Sequence, residues 1–187
     1  MERGKMLDFK KTALVLIDLQ KGIVSGPSGR EAVTNAVKLV DEFHNHHGLV
    51  IFVTVDFTDG REILHVISDK PAFGTKPPAG WAELDPALEV HPSDLRLTKR
   101  QWGAFFGTEL DLQLRRRGID TIVLAGISTN RGVESTAREA FHLGYNQIFA
   151  EDAMTAHTEE EHQASIRYIF PYLGCVRKTN QIVGQDD

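Results

Sequence analysis

Apolar residues in this chain fall into short unbroken runs, separated by stretches in which they recur at helical spacing. Residues 12–17, Thr-Ala-Leu-Val-Leu-Ile, are such a run, and an uninterrupted apolar hexamer fits a strand covered on both faces of a parallel sheet. The run stops at Asp18. A glycine-rich loop through Gly22, Gly26 and Gly29 follows, and residues 31–47 then place Val33, Val37, Val40 and Phe43 on one helical face, with Gly48 available as a left-handed cap. Leu49 to Val55 reads as the second strand, ending at Asp56. Residues 57–93 hold most of the prolines (Pro71, Pro77, Pro78, Pro86, Pro92) and Trp81 with little periodicity, so they predict an ordered excursion that wraps a site or a neighbouring subunit. Asp94 to Lys99 is the next strand, and a helix from about Thr108 to Arg117 ends before Gly118, its arginines suiting the negative end of the helix dipole.

The second half repeats the alternation. Thr121 to Ala125 predicts a strand, Thr129 or Asn130 a helix cap, and Val133, Ala137, Ala140 and Phe141 the buried face of a helix closed at Gly144. Gln147 to Ala150 resumes the sheet. Thr158-Glu-Glu-Glu161 reads as a capping box whose helix runs to Pro171, and Cys175-Val176 offers a last strand. Strands alternating with helices need right-handed crossovers, so the fold class is α/β: a doubly wound three-layer α/β/α domain spanning residues 1–187, with a mainly parallel sheet of about six strands. In such sheets ligands bind beyond the carboxyl ends of the strands. That rule selects Asp18, Asp56, Lys99, residues 126–132 and Asp152.

Composition narrows the function classes. At 187 residues, with 41% hydrophobic and 25% charged positions, the chain can bury a core without disulfides or metals. A net charge of -5 without a basic block argues against nucleic acid, and no apolar run reaches the roughly 20 residues of a membrane span. One cysteine and an N-terminal stretch, MERGKMLDFKKT, with no long apolar segment predict a cytoplasmic protein.

Asp18 follows six apolar residues, where a charged carboxylate is unfavourable without a partner, so it suits a general acid or base. Aspartate also caps turns at strand ends, and this residue alone does not separate the two roles. Lys99 ends another strand, and if the two strands are neighbours its ammonium reaches either that carboxylate or an anionic substrate. Gly126-Ile-Ser-Thr-Asn-Arg-Gly-Val-Glu-Ser-Thr-Ala-Arg138 predicts a strand, a tight turn and a helix start whose free N–H groups favour an anion or a developing oxyanion. A structural turn would use the same glycine and asparagine.

Together, Ala13-Leu-Val-Leu-Ile-Asp-Leu-Gln20, Lys99 within Lys-Arg-Gln-Trp-Gly-Ala-Phe-Phe-Gly-Thr, the 126–138 segment, Gly144-Tyr and Asp152-Ala resemble the isochorismatase-like hydrolases, the cysteine hydrolase superfamily. In most of that superfamily the third motif carries a nucleophilic cysteine that hydrolyses amides; here that position is Gly132, and the only cysteine, Cys175, matches no motif and reads as a small buried residue. Glycine there resembles the isochorismatase branch, in which water attacks a vinyl ether. The resemblance implies Asp18 as general acid, Lys99 as its electrostatic partner and Gly132 as room for substrate or water, with burial having to outweigh the lysine if the acid is to hold its proton. It also implies a cis peptide at Ile127–Ser128 and a small-molecule substrate; by position, Gln20, Trp102, Ser128 and Thr129 are the candidate substrate-binding residues. Gln20, Trp102 and Thr129 equally suit packing beneath the loop.

Metal-binding relatives carry Asp-x-His after the second strand. Here the stretch is Asp56-Phe57-Thr58, so no metal and no other cofactor is expected. His44, His46 and His47 sit where a helix ends and its dipole favours them; His65, His91, His142, His157 and His162 lack diagnostic spacing. Arg131 stands beside the site, and Trp81 and Trp102 suggest a cyclic or planar substrate. Two other readings stay open: a metabolite-binding or scaffolding protein that lost its nucleophile, and an amidase using Ser128 or Thr129, which needs a base beside that hydroxyl. An exposed strand edge and the long middle segment predict a homo-oligomer, dimer or tetramer.

Overall fold

A computed structural model describes residues 7–70 and 75–184, so Pro71 and the first six residues lie outside the described part. The apolar runs all become strands: β1 (Thr12–Ile17), β2 (Leu49–Val55), β3 (Leu95–Lys99), β4 (Thr121–Ile127), β5 (Asn146–Thr155) and β6 (Cys175–Arg177). They form one six-stranded sheet in the order β3-β2-β1-β4-β5-β6, and every pairing is parallel. Successive side chains of a strand face opposite sides, so each central strand feeds two cores. Ala13, Val15 and Ile17 pack with α2 (Leu110–Arg116), α3 (Glu134–His142), α4 (Glu159–Tyr168) and α5 (Phe170–Leu173). Leu14 and Leu16 pack with α1 (Gly26–Asn45) and α6 (Thr179–Ile182). This is the expected α/β/α architecture in a single domain.

Element ends differ from the sequence reading for local reasons. Helix α1 begins at Gly26, five residues early, because Pro27 fits a first helical turn that needs no N–H donor. It ends at Asn45, and the left-handed residue beyond it is His47 (φ 53), not Gly48. Gly48 is required by space instead: a Cβ there would lie 2.8 Å from Phe43 Cδ1. Neither Thr129 nor Asn130 caps a helix; residues Thr129–Val133 form a π-type turn that leads into α3. The capping box does form on one side, Thr158 accepting from the Glu161 N–H, but α4 breaks at Ile169 and Pro171 lies in the separate helix α5. Strand β5 runs longer than expected through a bulge: Leu124 pairs with Phe149, whereas Gly126 pairs with Met154. Asp152 falls inside that bulge, where its Oδ1 accepts the Thr179 N–H and hydroxyl at the start of α6, so it holds a helix rather than a ligand.

Candidate active site

The turn after β1 places a carboxyl group at the centre of the sheet's carboxyl edge. Asp18 adopts φ 53, a left-handed conformation that Asp and Asn tolerate better than most residues, and its N–H donates to Val53 O at 2.9 Å. From there Oδ2 accepts a 2.7 Å bond from Lys99 Nζ, and both side chains are buried. The two strands are not neighbours, yet the ammonium still reaches the carboxylate. Strand β2 lies between β1 and β3, and the lysine's four-carbon stem crosses its end.

Gln20 occupies that crossing point. Its carboxamide accepts from the Val55 N–H at 2.7 Å and donates to Val55 O at 3.0 Å, while Val55 is the register partner of Lys99. A fully buried amide whose Oε1 and Nε2 are both engaged by backbone fixes the end of β2 under the ion pair, which is the packing role the sequence had left open.

Burial is the largest influence on Asp18, and it raises the carboxyl to about 6 even though Lys99 pulls the other way. Deep burial in a low-dielectric strand end disfavours the anion more than one ammonium can offset. Lys99 also donates to Gln101 O at 3.0 Å, so its charge is shared. Asp18 Oδ1 is buried and accepts no hydrogen bond of its own; the Val55 N–H, which has a small lowering effect on the acid, is engaged by Gln20.

Gly132 comes up against this acid from β4 and its turn. A Cβ on Gly132 would lie 3.1 Å from Asp18 Oδ2 and 2.9 Å from Ile17 Cγ2, so the glycine permits close approach more than it opens a cavity. The Ile127–Ser128 peptide is cis, where the resemblance placed it. Ser128 is half-buried at the start of the turn, and its carbonyl accepts the Arg131 and Val133 N–H groups. The Trp102 ring is 60% exposed, and only its carbonyl oxygen approaches Gly132, 3.7 Å from the same Cβ position.

Thr129 is fully buried, with Oγ1 2.8 Å from His162 Nδ1, a contact that spacing along the chain could not reveal. Burial lowers the His162 pKa against the pull of Glu159 and Glu151, which favours the uncharged ring. Thr136 was also missed. Its hydroxyl donates to Gly132 O at 2.7 Å, the i to i−4 bond that Ser and Thr make inside helices, and the only signal for it was its place one turn after the glycine.

Other candidates lie apart. Cys175 opens β6 at the amino ends of the strands, three strands from β1, and is half-buried instead of fully buried. His44 bonds the Asp94 carboxylate at 3.0 Å and stacks on His91. Among the described residues no group of three or more His, Cys, Asp or Glu side chains is placed to hold a metal ion, and no helix is long and apolar enough to cross a membrane. Asp56 donates its N–H to Lys99 O and lines a cavity of about 390 Å³ with Lys76, Pro78, Gly80 and Glu83 of the middle segment.

The sequence pattern and this geometry can be set against known proteins. An isochorismatase domain model matches residues 12–181. The chain belongs to the isochorismatase family. One relative, the isochorismatase family protein YwoC of Bacillus subtilis (strain 168), is 59% identical over 181 residues, 96% of each chain. A solved isochorismatase family protein from Burkholderia thailandensis superposes with a TM-score of 0.91 at 42% identity, covering 96% of this chain and 97% of that one. Ureidoacrylate amidohydrolase RutB of Caulobacter vibrioides is 31% identical over 207 aligned residues, 95% of this chain and 92% of its own length. Isochorismatase family members thus include hydrolases, and the match spans nearly the whole of the chain.

Proposed function

We propose that the protein is a hydrolase that adds water to a small carboxylated vinyl ether, with Asp18 as general acid. The observation that carries this reading is the Asp18 carboxyl itself: raised to about 6 by burial, held through Oδ2 by Lys99, and with Oδ1 unpartnered. An acid poised near neutrality can both hold and deliver a proton at physiological pH. Proton transfer from Asp18 to the terminal alkene carbon would leave an oxocarbenium ion. Water then adds at its carbon and gives a proton back to the Asp18 carboxylate, and the hemiketal collapses to a ketone and an alcohol. Lys99 stabilises the carboxylate that remains, and Gly132 keeps the approach to it free of a side chain. Trp102, Ser128 and the exposed Arg131 rim this approach as candidate substrate contacts. The small-molecule substrate and the homo-oligomer belong to the same proposal, the latter supported by Phe106 and Tyr172 standing 75% and 82% exposed.

The test is a pH profile on a panel of vinyl ethers beside small amides. For an acid that must be protonated, kcat/KM is expected to be flat below about 6 and to fall about tenfold per pH unit above it. A profile that instead rises through that range would make Asp18 a base and remove the vinyl-ether mechanism. Binding without turnover across the whole panel would favour the scaffolding alternative.

The Thr129–His162 contact favours a second reading, an amidase with a threonine nucleophile, because a neutral imidazole at 2.8 Å is the base such a hydroxyl needs. An acyl adduct on Thr129 after incubation with amides, seen by mass spectrometry, would establish it; unmodified protein would end it.

A further inference from the structure

The loop that holds Lys99 and the glycine turn follow different strands, β3 and β4, and one buried hydroxyl joins them. Lys99, which holds the acid, is tied through its ammonium to Gln101 O, and the Gln101 amide donates to Gly103 O at 3.0 Å and to Phe106 O at 2.6 Å, folding residues 101–106 into a compact loop. Helix α3 grips that loop. Thr136 Oγ1 accepts the Ala104 N–H at 3.1 Å, and Glu139 Oε2 accepts the Phe105 N–H at 2.9 Å. Gly103 lets the Glu139 carboxylate in, because a Cβ there would lie 2.3 Å from Glu139 Oε1. The same Thr136 hydroxyl donates to Gly132 O, so its one proton and one lone pair serve the two halves of the site at once. Thr136 and Ala104 are both fully buried, which leaves water unable to replace either bond.

We infer that Thr136 is a positioning residue whose hydroxyl locks the loop carrying the Lys99 contact to the Gly132 turn, and so sets how closely Gly132 packs against the Asp18 carboxyl. The inference rests on the proposed role of Asp18, but its geometry stands apart from any substrate. Without the hydroxyl the Ala104 N–H has no partner, and the loop and the turn relax away from each other. More water then reaches a carboxyl that is only 5% exposed.

Thr136→Val keeps the shape and removes both bonds, whereas Thr136→Ser keeps both. Titration of the Asp18 carboxyl followed by carbon NMR is expected to give the same midpoint for wild type and Thr136→Ser, and a midpoint lower by about half a unit or more for Thr136→Val, as solvation of the anion predicts. On an active substrate, kcat is expected to fall about tenfold in Thr136→Val with KM within about twofold, the pattern of a lost transition-state alignment, and to recover in Thr136→Ser. Equal midpoints and equal kcat in the valine and serine variants would overturn the inference. Should the valine variant not fold, Thr136→Ala carries the same expectations, and rapid hydrogen exchange of the Ala104 amide in the wild-type protein would overturn it without any variant. A wild-type Asp18 midpoint near 4 would sink the general-acid reading alone, because the Thr136 inference is judged by the difference between variants.

Discussion

Asp18→Asn is expected to lower kcat/KM about a thousandfold while the protein stays folded, within the range a positioned general acid contributes. Asparagine is the informative replacement because it tolerates the left-handed φ of 53 that Asp18 adopts, so the backbone turn survives the loss of the acid. The variant also carries a thermodynamic signature. The folded carboxyl sits at about 6, well above the ordinary aspartate value of 3.8, so the folded state binds this proton more tightly than the unfolded chain. Stability from this group is therefore fully present below about pH 4 and lost as pH rises through about 6, a change of about 3 kcal/mol from the shift. Asp18→Asn should remove that slope between pH 4 and 6, as read from denaturant midpoints. Lys99→Met completes the comparison: with the ammonium gone and burial unopposed, the Asp18 midpoint moves up, and the alkaline fall of the rate profile moves up with it. Turnover in Asp18→Asn equal to wild type would remove Asp18 from the mechanism altogether.

Gly126→Ala is expected to be the most destabilising single substitution near the site. Gly126 pairs with Ile17 across β1 and β4 at φ +129, and a Cβ there would lie 2.0 Å from Ile17 O. Neither contact can yield by rotating a side chain, because both sides are backbone in the middle of the sheet. A loss of more than about 3 kcal/mol is expected, which for a domain this size lowers the melting temperature by about 6–12 °C or prevents recovery of folded protein. Asp18 directly follows Ile17, so any relief of the clash displaces the acid as well. A melting temperature within about 2 °C of wild type would mean that β1 and β4 are not pinned here as described.

The strands were legible because a parallel sheet covered on both faces demands uninterrupted apolar runs, which residues 12–17, 49–55 and 121–125 supply. Helix ends were less so: Pro27 inside the first turn of α1 and the left-handed His47 are local choices that propensity does not force. In the site, Asp18 and Lys99 were visible as charged residues at the ends of expected strands, and Gly132 through resemblance. Strand order was not visible, so the lysine's reach over β2 had to come from the structure. Gln20, Thr136 and His162 do their work through partners 35, 32 and 33 residues away, and no periodicity encodes such pairings. Burial of the acid, which decides its protonation, is likewise a property of the whole assembly and not of the residues beside it.

The lysine rides on the outermost strand. Among the described residues β3 has a neighbour on one side only, whereas β1, which presents the acid, is clasped by β2 and β4. Peripheral strands detach at lower free energy than central ones. A fluctuation that frees β3 would carry the ammonium away while the carboxyl stays in place, so warming or mild denaturant should silence the protein before its optical spectrum reports any melting.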